Sequence, residues 1–184
     1  MSAPFLCGPR VYLRTPEIPD APLVEKWLHD PAVNRYLNSG QLPSKSSKMA
    51  VWLALNDTSE RDLRFAVCMN QGRPIGTVAA MQIDPIHRSC EVGIIIGETD
   101  CWDFGIGTEA LSLLIDHLFE RYNLRRIELN LFVFNERARR SYKKLGFVTE
   151  SVRRRRNFKD GVYEDVATMG LLRRDYTSVT KQGD

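Results

Sequence analysis

Two glycines one residue apart, in Gly105-Ile-Gly107-Thr108, stand where an apolar run gives way to a helical pattern. The chemistry such a turn can do is to hold an anion. The first amides of a helix have no internal partners and lie at the positive end of its dipole. Glycines there let the backbone approach a phosphate with no side chain between them. A phosphate-bearing ligand at this turn is the leading hypothesis, with a plain strand-to-helix turn as the alternative. A Walker loop needs a lysine before Thr108, and Gly107 stands there. A dinucleotide fingerprint needs a third glycine, and Thr108-Glu109-Ala110 supplies none.

Other chemistry-bearing residues give weaker patterns. Cys7, Cys68, Cys90 and Cys101 form no C-x-x-C pair, so neither a zinc site nor a redox dithiol is indicated. Cys68 and Cys90 lie in strand-like runs and read as small core residues. His87 borders a turn, and His117 falls beside a helical apolar stripe, on its solvated side. Arg153 to Arg156 form a basic run, but alternate residues of a strand point to opposite faces. With no aromatic residue interleaved and a net charge of only +3, a solvated or ligand-rim role is favoured over a nucleic-acid patch.

The elements that must position the glycine turn are legible on both sides of it. Before it, Val92, Ile94, Ile95 and Ile96 are apolar on both faces, as a central strand requires. After it, Leu111, Leu114, Ile115, Leu118, Phe119 and Tyr122 recur at helical spacing. Upstream, Val11–Arg14 reads as a strand and Asp20 as the cap of a helix ending near His29-Asp30-Pro31. Ser39–Ser47 reads as a polar loop, and a helix is expected around Lys45–Asn56. Arg64–Met69 and Pro74–Ile83 form a hairpin that leads into the central strand, making a three-strand meander. Gly76, Ala79 and Ala80 suggest close packing or a bulge.

Downstream, Arg125–Phe134 alternates, with Ile127, Leu129, Leu131 and Val133 on one face. Asn135 caps a helix running to Leu145, which Gly146 ends. Phe147–Arg156 and Tyr163–Leu172 make a last hairpin around Lys159-Asp-Gly161. With 184 residues, 43% hydrophobic and 27% charged, the chain reads as one globular domain over residues 1–184, with a fraying tail from about 173. No apolar run approaches the roughly 20 residues of a membrane helix. The N-terminus lacks signal-peptide features, so the expected location is cytoplasmic.

Two stretches in this order carry a resemblance: Trp102-Asp-Phe-Gly-Ile-Gly-Thr-Glu-Ala110, and Asn135 through Tyr142-Lys-Lys-Leu-Gly-Phe147. Together they resemble the GNAT superfamily of acetyl-CoA-dependent N-acetyltransferases, over nearly the whole chain from Arg10 to about Leu172. The Cys90-Glu-Val-Gly-Ile strand and the last hairpin are similar to the Rim-type branch, which contains ribosomal-protein N-terminal acetyltransferases. The resemblance implies an α+β fold. Its mixed, mostly antiparallel sheet of six to seven strands is flanked by about four helices and splays between the fourth and fifth strands. It implies that acetyl-CoA lies in that splay, with no metal. Backbone groups of Ile94, Ile95 and Ile96 would bind the pantetheine arm. Amides of Trp102, Asp103, Phe104, Gly105, Ile106, Gly107 and Thr108 would bind the pyrophosphate, and Asn135, Ala138, Arg139 and Tyr142 would line the cofactor's far side. Relatives usually carry other residues at Trp102 and Asp103 and often a cation at Phe104, so this loop departs from the pattern.

Acetyl transfer to an amine needs an uncharged nitrogen, a polarised thioester carbonyl and a proton for the departing thiolate. Most amines titrate at about pH 8–10, so a base or water relay helps. The resemblance puts Tyr142 where relatives have the tyrosine proposed to protonate the sulfur, with Ser141 as the fallback donor. It puts Glu91 where a base is often suggested, and a structural carboxylate is the alternative there. The oxyanion donor implied is an amide near Ile94–Ile95. The acceptor expected is a primary amine, either a protein N-terminus or a small molecule. A spermidine-type polyamine is the main competitor, which Glu17, Asp57 or Glu60 would serve if brought together. A non-catalytic acyl-CoA-binding module of the same fold is the rival from another class. A homodimer through a strand edge or the last hairpin is a further expectation.

Overall fold

The computed structural model describes residues 2–38, 61–176 and 178–180. The helix expected at Lys45–Asn56, the Ser39–Ser47 loop, Asp57 and Glu60 fall outside the described residues. Eight strands are described: β1 Leu6–Cys7, β2 Val11–Arg14, β3 Leu63–Met69, β4 Pro74–Asp84, β5 Ser89–Ile96, β6 Arg126–Phe132, β7 Val148–Lys159 and β8 Val162–Leu172. They form one sheet in the order β1-β2-β3-β4-β5-β6-β8-β7. Every neighbouring pair is antiparallel except β5–β6, which is parallel. The strand beyond the expected seven is β1, whose two residues are too short to show a period.

Four α-helices are described: α1 Ala21–His29, α2 Pro31–Asn34, α3 Ile106–Glu120 and α4 Glu136–Lys144. On one face of the sheet, Leu111, Leu114, Ile115 and Leu118 of α3 and Tyr142 of α4 join Val92, Ile94, Ile96, Leu129 and Leu131 in the main core. On the other face, Val24, Trp27 and Val33 of α1 and α2 pack against Ile95 and Trp102. The strict alternation of β5 thus sends even-numbered side chains to α3 and odd-numbered ones to α1 and α2.

Local details correct three expectations. Asp20 sits at the N-cap of α1, but its side chain makes no cap bond. It is held instead by Arg14, whose Nη1 and Nη2 each lie 2.7 Å from one of its oxygens. Tyr122 lies past the end of α3 and is 41% exposed, outside the core stripe. His117 is not simply solvated: it packs edge-on between Phe5 and Tyr122, and burial, with Arg121 nearby, lowers its pKa. Beyond β8, the described residues 176 and 178–180 bond to α3. There the Tyr176 and Ser112 hydroxyls are 2.7 Å apart, while Ser178 and Thr180 donate to Asp116.

Candidate active site

The splay is where two strands keep their outer partners and lose each other. β5 stays paired with β4 through Ile96, and β6 stays paired with β8 through Phe132. Between β5 and β6 the register covers only Ser89–Arg126, Cys90–Ile127 and Glu91–Glu128. Beyond Glu91 the facing backbone edges have no strand between them, which in the middle of a sheet leaves polar groups wanting partners. The Gly97 amide donates to the Ile75 carbonyl at 2.8 Å. Backbone direction alternates along an antiparallel strand, so the groups of Ile96 and Ile94 point into the gap. The Ile96 carbonyl there accepts from the Trp102 indole at 2.8 Å.

The gap opens into a cleft of about 680 Å³ that reaches both faces of the sheet, within the range of cofactor and ligand pockets. One end is the start of α3. Gly105 is the N-cap, with φ 78° and no side-chain cap bond. A Cβ on Gly107 would lie 3.3 Å from Ile96 Cγ1, so this position has little room for a side chain and its amide stays bare. The one acid of the first turn, Glu109, is buried and turned away. It accepts from the Arg10 amide at 2.8 Å, the Val11 amide at 3.2 Å and Arg10 Nε at 2.7 Å. The first amides of α3 are therefore left without a side-chain acceptor, which suits an anionic ligand. Asp103 holds φ 65°, a left-handed conformation that Asp tolerates, and it is exposed.

Of the residues singled out from the sequence, Ile94, Ile95, Ile96, Trp102, Asp103, Gly105, Ile106, Gly107, Thr108, Asn135, Ala138 and Tyr142 line this cleft, as does Ser141. Three do not. Phe104 is 70% exposed, and its carbonyl accepts from Arg10 Nη1 at 2.8 Å. Arg139 is drawn into an ion pair with Glu136 on its own helix. Glu91 belongs to a second cleft of about 500 Å³, with Asp62, Asp84 and Glu128. Glu17, named for a polycation pocket, lines neither cleft.

Tyr142 and Glu91 lie on opposite faces of the sheet. Tyr142 packs in the α3 core with its ring 5.9 Å from Phe147, and burial pushes its phenol up to about 12. The odd-numbered Glu91 faces the other way, where Asn130 Nδ2 donates to its Oε1 at 3.0 Å. Asn130 lines the main cleft and is oriented by the Thr168 hydroxyl, which donates to its Oδ1 at 2.8 Å. It joins the two clefts, and nothing local in the sequence marks it.

The sequence reading also missed the cations of the cleft. Arg137, Arg140 and Lys144 line it from α4. Among the described residues they make no ion pair with a carboxylate. Arg137 lies 3.5 Å from the Trp102 ring centroid and 5.1 Å from that of Tyr36. The spacing Arg137, Ser141, Lys144 was the available signal, one helical face beside the one chosen. Arg10, which reaches the turn from just before β2, could not be found by spacing.

The Acetyltransferase (GNAT) domain family matches residues 10–148. The chain belongs to the GNAT acetyltransferase family. Spermidine N(1)-acetyltransferase of Vibrio cholerae serotype O1 is 34% identical over 122 residues, covering 66% of this chain and 69% of that one. The ribosomal-protein-serine acetyltransferase of Escherichia coli K12 is 28% identical over 92 residues, covering 50% of this chain and 51% of its own. Among solved structures, spermidine N-acetyltransferase from Vibrio cholerae in complex with CoA and spermine superposes with a TM-score of 0.82. It is 27% identical and covers 90% of this chain and 97% of that one. The fold is thus the one the sequence implied: α+β, mostly antiparallel, with the splay between β5 and β6. The chain is an acetyl-CoA-dependent N-acetyltransferase, and no described helix is long and apolar enough to cross a membrane.

Proposed function

We propose that the cleft between β5 and β6 carries out direct acetyl transfer to a primary amine that enters from the α1–α2 face. The observation that carries this reading is the run of unpaired strand edge beside an uncapped helix start. Acetyl-CoA supplies the thioester acyl group. The bare amides of Ile106, Gly107 and Thr108 hold its diphosphate, with Arg137, Arg140 and Lys144 adding charge from the facing helix. This offsets the cation that Phe104 lacks. The inward-pointing backbone of Ile94 and the Ile96 amide bind the arm as a further strand would, and an amide there stabilises charge developing on the carbonyl oxygen.

Tyr142 keeps its proton at every physiological pH and presents it to the thiolate. The same burial raises the thiolate's own pKa, which narrows the gap between donor and acceptor. Glu91, across the sheet, accepts the amine's proton through water beside Asn130. A polyamine acceptor is the second reading. Asp62, Asp84, Glu91 and Glu128 around the second cleft favour it, and so do the named spermidine acetyltransferase relatives. We place the protein in the cytoplasm, in line with its four free cysteines.

The test is coenzyme A release from acetyl-CoA across a panel of polyamines, small amines and peptides with free N-termini. Turnover on at least one amine supports transfer. A lower KM for spermidine than for any peptide selects the second reading. Tight coenzyme A binding with no turnover on any amine would leave the non-catalytic module standing instead.

A further inference from the structure

The last hairpin holds a buried lysine that the transfer reaction does not use. Lys159, at the end of β7, is only 5% exposed. Burying an ammonium is costly unless its protons are all taken. Here Nζ donates to Asn34 Oδ1 at 2.9 Å and to the Leu37 carbonyl at 3.0 Å. Two positions back, Asn157 Nδ2 donates to Asn38 Oδ1 at 2.7 Å. These bonds cross more than 115 residues of sequence and converge on one short segment, residues 34–38. That segment starts at the last residue of α2 and forms the α1–α2 wall of the cleft through Tyr36, Leu37 and Asn38.

The hairpin is built to aim this lysine. Asp160 and Gly161 have φ 50° and 85°, the two positive values of a tight primed turn, and Lys159 pairs with Val162 across it. Tyr36, at the centre of the tied segment, packs edge-on to Trp102 with ring centroids 6.2 Å apart and tilts onto Phe134 at 6.0 Å. The wall is therefore fixed at both ends by the hairpin tip and at its middle by the aromatic rim of the splay.

We propose that Lys159 is a positioning residue for the acceptor. It ties the tip of the β7–β8 hairpin to residues 34–38, and this tie sets the width of the acceptor side of the cleft. The proposal rests on the reading of the cleft as an acetyl-transfer site. It assigns the C-terminal hairpin a share in substrate choice, although none of its side chains lines the cleft.

The test compares wild type with Lys159→Met, which keeps the stem and removes the donors. Three quantities are read: acceptor KM, coenzyme A affinity, and amide hydrogen exchange of residues 34–38. Lys159→Met should raise acceptor KM by about tenfold, the scale of losing hydrogen bonds to a charged group. Coenzyme A affinity should stay within about twofold, and exchange at 34–38 should quicken. If Lys159→Met does not fold, Asn157→Ala cuts the exposed second bond and should raise KM by about two- to threefold. An unchanged KM in whichever of the two variants folds overturns the proposal, even where exchange quickens. So does a coenzyme A affinity that falls in step with KM. A wild type silent on every amine overturns the transfer reading itself, a result distinct from a variant that behaves like wild type.

Discussion

Replacing Tyr142 with Phe removes one hydroxyl and nothing else. Its ring is packed in the α3 core and only 9% exposed, so the variant keeps the wall of the cleft. Among the described residues none bonds the hydroxyl, so its loss should cost less than about 1 kcal/mol of stability. Cofactor affinity should be unchanged. If the hydroxyl is the proton donor, kcat should fall by about 10²–10⁴, the usual share of a general acid, or about 3–5 kcal/mol in the barrier. The pH profile adds an independent sign. Burial holds this phenol at about 12, two units above the usual value near 10. The rate should therefore show no tyrosine limb between pH 9 and 10.5. Following coenzyme A release with a thiol reagent, alongside calorimetric titration of coenzyme A, separates the two parameters. A kcat within twofold of wild type, or equal losses in rate and affinity, would refute the assignment and shift attention to Ser141.

Three further outcomes follow from the same geometry. Asp20→Asn should destabilise the fold by about 3–5 kcal/mol by stranding the buried Arg14, seen as a large fall in Tm. Burial raises the Asp20 pKa, but the Arg14 hydrogen bonds, the Glu17 amide and the Arg14 charge outweigh it, so the net shift is downward. The native state therefore resists protonation, and this contribution is held above the unfolded value of about 3.9 and lost as pH falls through the lower folded one. Gly97→Ala should cost about 3 kcal/mol or more, because its Cβ would stand 2.0 Å from Trp27 Cγ. That indole cannot easily yield, since its Nε1 donates to Glu98 at 2.7 Å, and denaturant unfolding reads the loss. Replacing Arg140 and Lys144 together by Ala should weaken coenzyme A binding by about tenfold and flatten its salt dependence, while leaving affinity for unphosphorylated pantetheine unchanged.

Most of the fold was legible because its elements carry their own punctuation. Asn135 accepts from the Ala138 amide as the cap it was read to be. Gly146, at φ 95°, ends α4 where the pattern stops, and Gly76 has no room for a Cβ beside the Ile95 carbonyl. The glycine turn was visible for the same reason, since backbone requirements leave a trace in residue type. What the sequence hid depends on contacts between distant segments. Glu109 stands in the first turn of α3, yet its side chain leaves the helix for the backbone amides of Arg10 and Val11. Asp20 looked like a cap and became half of a buried ion pair. Glu91 and Tyr142 are separated by the alternation of β5, but only the sheet order shows that α4 covers the face Glu91 leaves. Asn130, Arg137 and Lys159 acquire meaning only from partners far along the chain.

The account stands on unpaired backbone in the splay and at the head of α3 receiving the cofactor. Titrating isotopically labelled protein with coenzyme A and following each backbone amide tests this directly. The amides of Ile94, Ile96, Ile106, Gly107 and Thr108 should shift most and gain protection from exchange, while those of the β7–β8 hairpin stay still. Shifts centred elsewhere, with these five amides unmoved at saturating coenzyme A, would contradict it.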